Sequence, residues 1–121
     1  MNNESIRKIA DHYGFAEQSR QLAEECAELI VAVNKAYRFD KNWNIKDGIW
    51  CETIRNIAEE ICDVEIMVAQ LKYLLNITDA DIHKIKEYKV NRQIERINNG
   101  LEWLRSGRSV EYIWLNGWKA S

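Results

Sequence analysis

The chain has 121 residues, enough for one domain that buries roughly two-thirds of its unfolded surface. Hydrophobic residues make up 46% and charged residues 30%, with five glycines and no proline, a composition that suits long helices with few interruptions. The formal net charge is -2, from 17 basic and 19 acidic side chains without a long like-charged block, which argues against a nucleic-acid polymer as partner; no apolar run has membrane-spanning length.

The N-terminal MNNESIRKIA lacks the apolar core of a signal peptide, so a cytoplasmic protein is the expectation. A short helix is predicted from about Ser5 to His12, stopped near Gly14. A long helix follows, carrying Gln18, Leu22, Cys26, Leu29, Val33 and Ala36 on one face and ending near Arg38. The stretch FDKNWNIKD, from Phe39 to Asp47, reads as a loop. A second long helix is predicted from about Gly48 to Leu75, with Ile54, Ile57, Ile61, Val64, Val68 and Leu71 recurring at three and four, and with Asn76 as its stop. Thr78 then opens a third helix as N-cap, Asp81 completing the capping-box spacing, and the pattern runs to about Asn98 before Asn99 and Gly100. The extension 99–121 holds three of the five tryptophans and has the turns for one or two short helical pieces. Cys26, Cys51 and Cys62 are odd in number and lack CxxC spacing, which reads as reduced, structural thiols.

The acidic residues carry the chemistry. LAEECAELIVAV at 22–33 and IAEEICDVEIMV at 57–68 superpose without a gap at an offset of 35 residues. At about 100° per residue, Glu25 falls inside the apolar arc of Leu22, Leu29, Ala32 and Val33, with Glu28 at its edge and Glu24 pointing away. Glu60 likewise falls inside the arc of Ile57, Val64, Met67 and Leu71, with Asp63 at its edge and Glu59 outward. A single ExxE is common on a solvated helix face. Two such pairs, each with one acid inside the apolar stripe, place four carboxylates where they meet if the helices form an antiparallel hairpin. Carboxylates facing a core need a cation or a paired base. Oxygen-only ligands without histidine or thiolate favour magnesium, with manganese as the alternative, over zinc.

ExxE at Glu25 and Glu28 followed by ExxD at Glu60 and Asp63, in the contexts QLAEECAELIVAVNK and EEICDVEIMVAQLKYLL, resembles the signature of the MazG-like all-α nucleotide pyrophosphohydrolases. The resemblance covers about residues 15–97; the tryptophan-rich tail lies outside it. It implies an all-α fold, here an antiparallel hairpin plus a third helix, with a four-helix-bundle-like core completed by dimerisation. Chain 1–121 would be one such domain, its core at about 15–98. The resemblance also implies Mg2+-dependent hydrolysis of a nucleoside triphosphate to the monophosphate and pyrophosphate, in a homodimer or a tetramer of dimers. Glu25, Glu60 and Asp63 would be chiefly metal ligands. Glu28, nearer solvent, would be a ligand and the group that takes the proton from water.

Candidate substrate contacts are Lys89, Arg92 and Arg96, at i, i+3 and i+7 on the third helix, where cations suit a triphosphate or, equally, a solvated face. Gln18, one turn before Leu22 on the same face, is a further candidate contact for base or phosphate. Trp43, with Trp50, Phe15 and His12, offers a ring to stack on a base or to fill a core. Three other readings stay open: a phosphoribosyl-nucleotide or dUTP pyrophosphohydrolase on the same frame; a di-iron carboxylate bundle, which normally needs ExxH pairs absent here; and a non-catalytic dimeric interaction module whose inward acids pair with bases across an interface.

Overall fold

The computed structural model describes residues 2–39 and 52–105. Among them are three helices and no strand: α1 (Asn3–Phe39), α2 (Glu52–Leu74) and α3 (Asp79–Arg105). The expected loop with Trp43 and Trp50, Cys51, and the short helical pieces of the tail lie outside the described residues.

The side chain of Asn2 caps α1, its Oδ1 accepting from the Glu4 amide at 2.9 Å, and its carbonyl accepts from Ile6 at 3.2 Å. Gly14 interrupts the helix as expected, dividing α1 into two helical stretches at a kink. It is one residue with φ 83° and ψ 172° between two helical stretches, a joint that only glycine adopts without strain. The helix resumes at once because nothing else after Gly14 opposes it, and Ser19 adds a bond from its Oγ to the Phe15 carbonyl at 2.7 Å.

The end of α2 is a Schellman motif. The Ile77 amide donates to the Lys72 carbonyl at 2.9 Å, the Asn76 amide donates to the Tyr73 carbonyl at 3.2 Å, and Asn76 takes φ 55°. Thr78 and Asp81 then make the expected capping box: Thr78 Oγ1 accepts from the Asp81 amide at 3.1 Å, and Asp81 Oδ2 accepts from the Thr78 amide at 3.4 Å. α3 does not end at Asn98 but continues through Gly100 to Arg105. An interior glycine costs a helix only about 1 kcal/mol, and no proline follows to enforce a stop.

Residues 1–77 and 78–121 form two compact units. In the first, α1 and α2 pair as an antiparallel hairpin. Asp11 meets Tyr73, whose hydroxyl donates to the carboxylate at 2.9 Å; further along, Gln18 meets Gln70, and Glu28 approaches Glu60. The seam buries Ile6, Ala10 and Ala36 of α1 and Met67 of α2, and half-buries Leu22, Cys26, Leu29, Ile57, Val64 and Leu71. Two helices bury one stripe each, so Ile30, Val31, Val33, Ile61, Ile66 and Val68 stay exposed.

A buried amide pair crosses the seam. Gln18 Nε2 donates to Gln70 Oε1 at 2.6 Å, with Gln18 only 6% and Gln70 only 1% exposed. The Gln70 amide nitrogen also faces the Ile66 carbonyl and the Met67 sulfur, each at 3.5 Å.

Candidate metal centre

Two turns along α1 from Gln18 lies Glu25, and two turns before Gln70 on α2 lies Asp63. The antiparallel pairing that brings the amides together therefore brings the acids together as well. Burial follows the helical arcs: Glu25 and Glu60 are half-buried, Glu28 and Asp63 are exposed at the edge, and Glu24 and Glu59 face solvent, Glu59 in an ion pair with Arg55 at 3.4 Å. One oxygen each from Glu25, Glu60 and Asp63 lie within 4.8 Å of one another.

Glu28 completes the group. Its carboxyl is held above the ordinary value of 4.5, first by the charge of Glu25, then by that of Glu60, with partial burial and hydrogen bonds of the protonated form to both adding to the shift. Glu25 Oε1 accepts from Gln21 Nε2 at 2.9 Å. Its other oxygen, and Oε2 of Glu60, are buried without a hydrogen-bond partner. Buried carboxylate oxygens normally have donors. Two such oxygens beside two further acids are an all-oxygen donor set of the kind that suits a hard divalent cation.

The raised value at Glu28 has a pH signature. Because folding favours the protonated form, this group's contribution to stability is fully present below about pH 4.5 and is lost as pH rises through the raised value. With chelator present, the melting temperature of Glu28→Gln is expected to match the wild type near pH 4 and to exceed it increasingly toward pH 7. Parallel profiles for the two proteins would remove the mutual repulsion from the account.

Beside the acids, α1 and α2 enclose a cleft of about 580 Å3. Among the described residues, Glu28 and Glu60 line one end and Ala27, Val31 and Ala32 an apolar wall, with Lys35, Glu52, Thr53 and Asn56 also in the lining. Sequence reasoning passed over Lys35 and Asn56. The available signal was spacing: Lys35 is two turns after Glu28, and Asn56 one turn before Glu60, on the same helix faces.

Of the other expected contacts, Gln18 is committed to Gln70 within the seam, so its amide nitrogen points to protein. His12 is exposed and stacks edge-on against Tyr13 at 4.7 Å, and Phe15 is half exposed. Trp43 lies outside the described residues. Lys89, Arg92 and Arg96 lie on α3, in the second unit. Lys89 is exposed, Arg92 sits 5.7 Å from the Tyr88 ring centre, and Arg96 Nη1 donates to Gln93 Oε1 at 3.4 Å. The Nε atoms of Arg92 and Arg96 are buried without a partner. Cys26 is half-buried and Cys62 exposed, both free. No described helix is long and apolar enough to cross a membrane.

Comparison with known protein families, with curated proteins and with solved structures finds no match to this chain.

Proposed function

We propose that the chain is a magnesium-dependent nucleoside triphosphate pyrophosphohydrolase of the MazG-like kind, working in the cytoplasm. The observation that carries this reading is the meeting of Glu25, Glu28, Glu60 and Asp63 on one hairpin, with an orphaned buried oxygen on each of the two inner acids. The cleft beside them is of a size that accepts small ligands.

In this reading Glu25, Glu60 and Asp63 hold the ion, which when bound supplies charge neutralisation and orientation for the phosphates and makes water more acidic. Glu28, more basic than an ordinary glutamate and nearer solvent, takes the proton from the attacking water. The water oxygen bonds to the α-phosphorus, the bond from that phosphorus to the α,β-bridging oxygen breaks, and pyrophosphate leaves.

A homodimer, or a tetramer of dimers, belongs to the proposal. Ile61, Ile66 and Val68 on α2, and Ile85, Val90, Ile94, Ile97 and Leu101 on α3, are exposed apolar side chains of the kind a second copy could cover. That same surface favours the second reading, a dimeric interaction module without catalysis. A phosphoribosyl nucleotide or dUTP would use the same four acids.

The test is pyrophosphate release from a panel of nucleoside triphosphates, with magnesium and with chelator, beside Glu60→Gln. Release that needs magnesium and disappears in the variant is expected. A folded wild-type protein that releases none from any triphosphate overturns the reading and leaves the interaction module.

A further inference from the structure

The cleft has two chemically different ends. One carries Glu28 and Glu60; the other carries Lys35 and Glu52 with Thr53 and Asn56. Lys35 is the one basic side chain among the described residues lining the cleft. It is exposed, and among the described residues it has neither a hydrogen bond nor an ion pair, not even with Glu52 in the same cleft.

We propose that Lys35 is a substrate-binding residue that takes the terminal phosphates of the substrate, so that the phosphate chain runs along the cleft from the acids toward Lys35. This rests on the pyrophosphohydrolase reading for the substrate's identity, and deepens it by giving the substrate a direction.

The distances are suitable. Lys35 lies seven residues beyond Glu28, about 10 Å along the helix axis. Long side chains on a helix lean back toward its N-terminus, which brings the ammonium toward Glu28 rather than away from it. The charge pattern is suitable too. An ion held by Glu25, Glu60 and Asp63 would neutralise the phosphates nearest the reacting phosphorus, and the terminal phosphates would need a separate positive partner. A flexible lysine supplies a point charge with three donors and does not demand one fixed geometry. An uncharged nucleobase would gain little from that charge, whereas Asn56 and Thr53, with both donor and acceptor atoms, would serve a neutral group.

The experiment measures binding of inorganic triphosphate in magnesium by calorimetry, and turnover of a nucleoside triphosphate, for the wild type, Lys35→Ala and Lys35→Arg. Lys35→Ala is expected to weaken inorganic triphosphate and raise KM by about tenfold each, with kcat little changed, because the contact holds ground state and transition state alike. Lys35→Arg should recover most of both, and binding of magnesium alone should be the same in all three. Melting temperatures should agree, since Lys35 is exposed. Inorganic triphosphate bound equally by Lys35→Ala and wild type overturns the assignment, even if turnover remains lost in Glu60→Gln. A wild type that binds inorganic triphosphate through Lys35 but turns over no nucleotide keeps the assignment and overturns the activity. A wild type that does neither overturns both.

Discussion

Glu25→Gln and Asp63→Asn are each expected to lower turnover by a factor on the order of a thousand or more, while raising the melting temperature of the chelated protein. The two effects have one cause. Glu25, Glu60 and Asp63 hold oxygens within 4.8 Å of one another, and the charges of Glu25 and then Glu60 lift the neighbouring Glu28 by repulsion. Removing one charge relieves that repulsion, and in Glu25→Gln the new side-chain amide keeps an oxygen to accept from Gln21. The same removal takes a ligand from the ion. A cation that binds only the folded protein raises its stability in proportion to the logarithm of ligand excess over Kd, so the wild type should melt higher in magnesium. In the two variants that rise should shrink or vanish. The measurement is a pair of melting curves, with magnesium and with chelator, alongside turnover. Unchanged activity in either variant, or an unchanged magnesium response, would sink the assignment of these acids.

Gln70→Ala is expected to destabilise the fold by about 2 to 4 kcal/mol, a large share of what a domain this small possesses. Gln70 is the most buried large side chain described, and its loss leaves Gln18 Nε2 without the acceptor it now reaches at 2.6 Å. An orphaned buried amide costs more than the bond contributed, and the shortened side chain adds a cavity. The double variant Gln18→Leu/Gln70→Leu should therefore be less damaging than Gln70→Ala, because no polar atom is stranded. It should nevertheless weaken magnesium binding. The pair admits one register of α1 against α2, and a slide along the seam would carry Glu25 and Glu28 away from Glu60 and Asp63, much as a buried polar pair selects register in a coiled coil. Melting and magnesium titration of both proteins check this. A Gln70→Ala protein within about 0.5 kcal/mol of wild type would show that the amide bond carries no structural weight.

The sequence showed the helices and the acids because both are local or periodic. The arcs of α1 and α2 sorted Glu25 and Glu60 from Glu24 and Glu59 correctly, and Thr78 with Asp81 announced α3. Gly14 was visible as the break between two helical stretches, and it takes φ 83° there. Gly100 looked like a stop, although nothing beyond it enforced one. Gln18 was recognised as facing inward, but its partner is 52 residues away and no periodicity points from one to the other. Lys35 and Asn56 share the faces of the acids, yet which end of a hairpin opens into a cleft depends on how the two helices pack.

The repeat has a last consequence. On antiparallel helices, the offset that carries Glu25 onto Glu60 and Glu28 onto Asp63 acts as a rough two-fold rotation through the middle of the seam. A single helix bearing ExxE, laid against a reversed copy of itself, would already present four carboxylates, but alike on both sides. Here the same offset carries Gln18 onto Thr53 and Lys35 onto Gln70. The buried amide pair lies on one side of the acids along the seam, and Lys35 lies on the other. The broken symmetry makes the two flanks of the acidic centre chemically different, so a ligand bound there would meet buried amides on one flank and a lysine on the other.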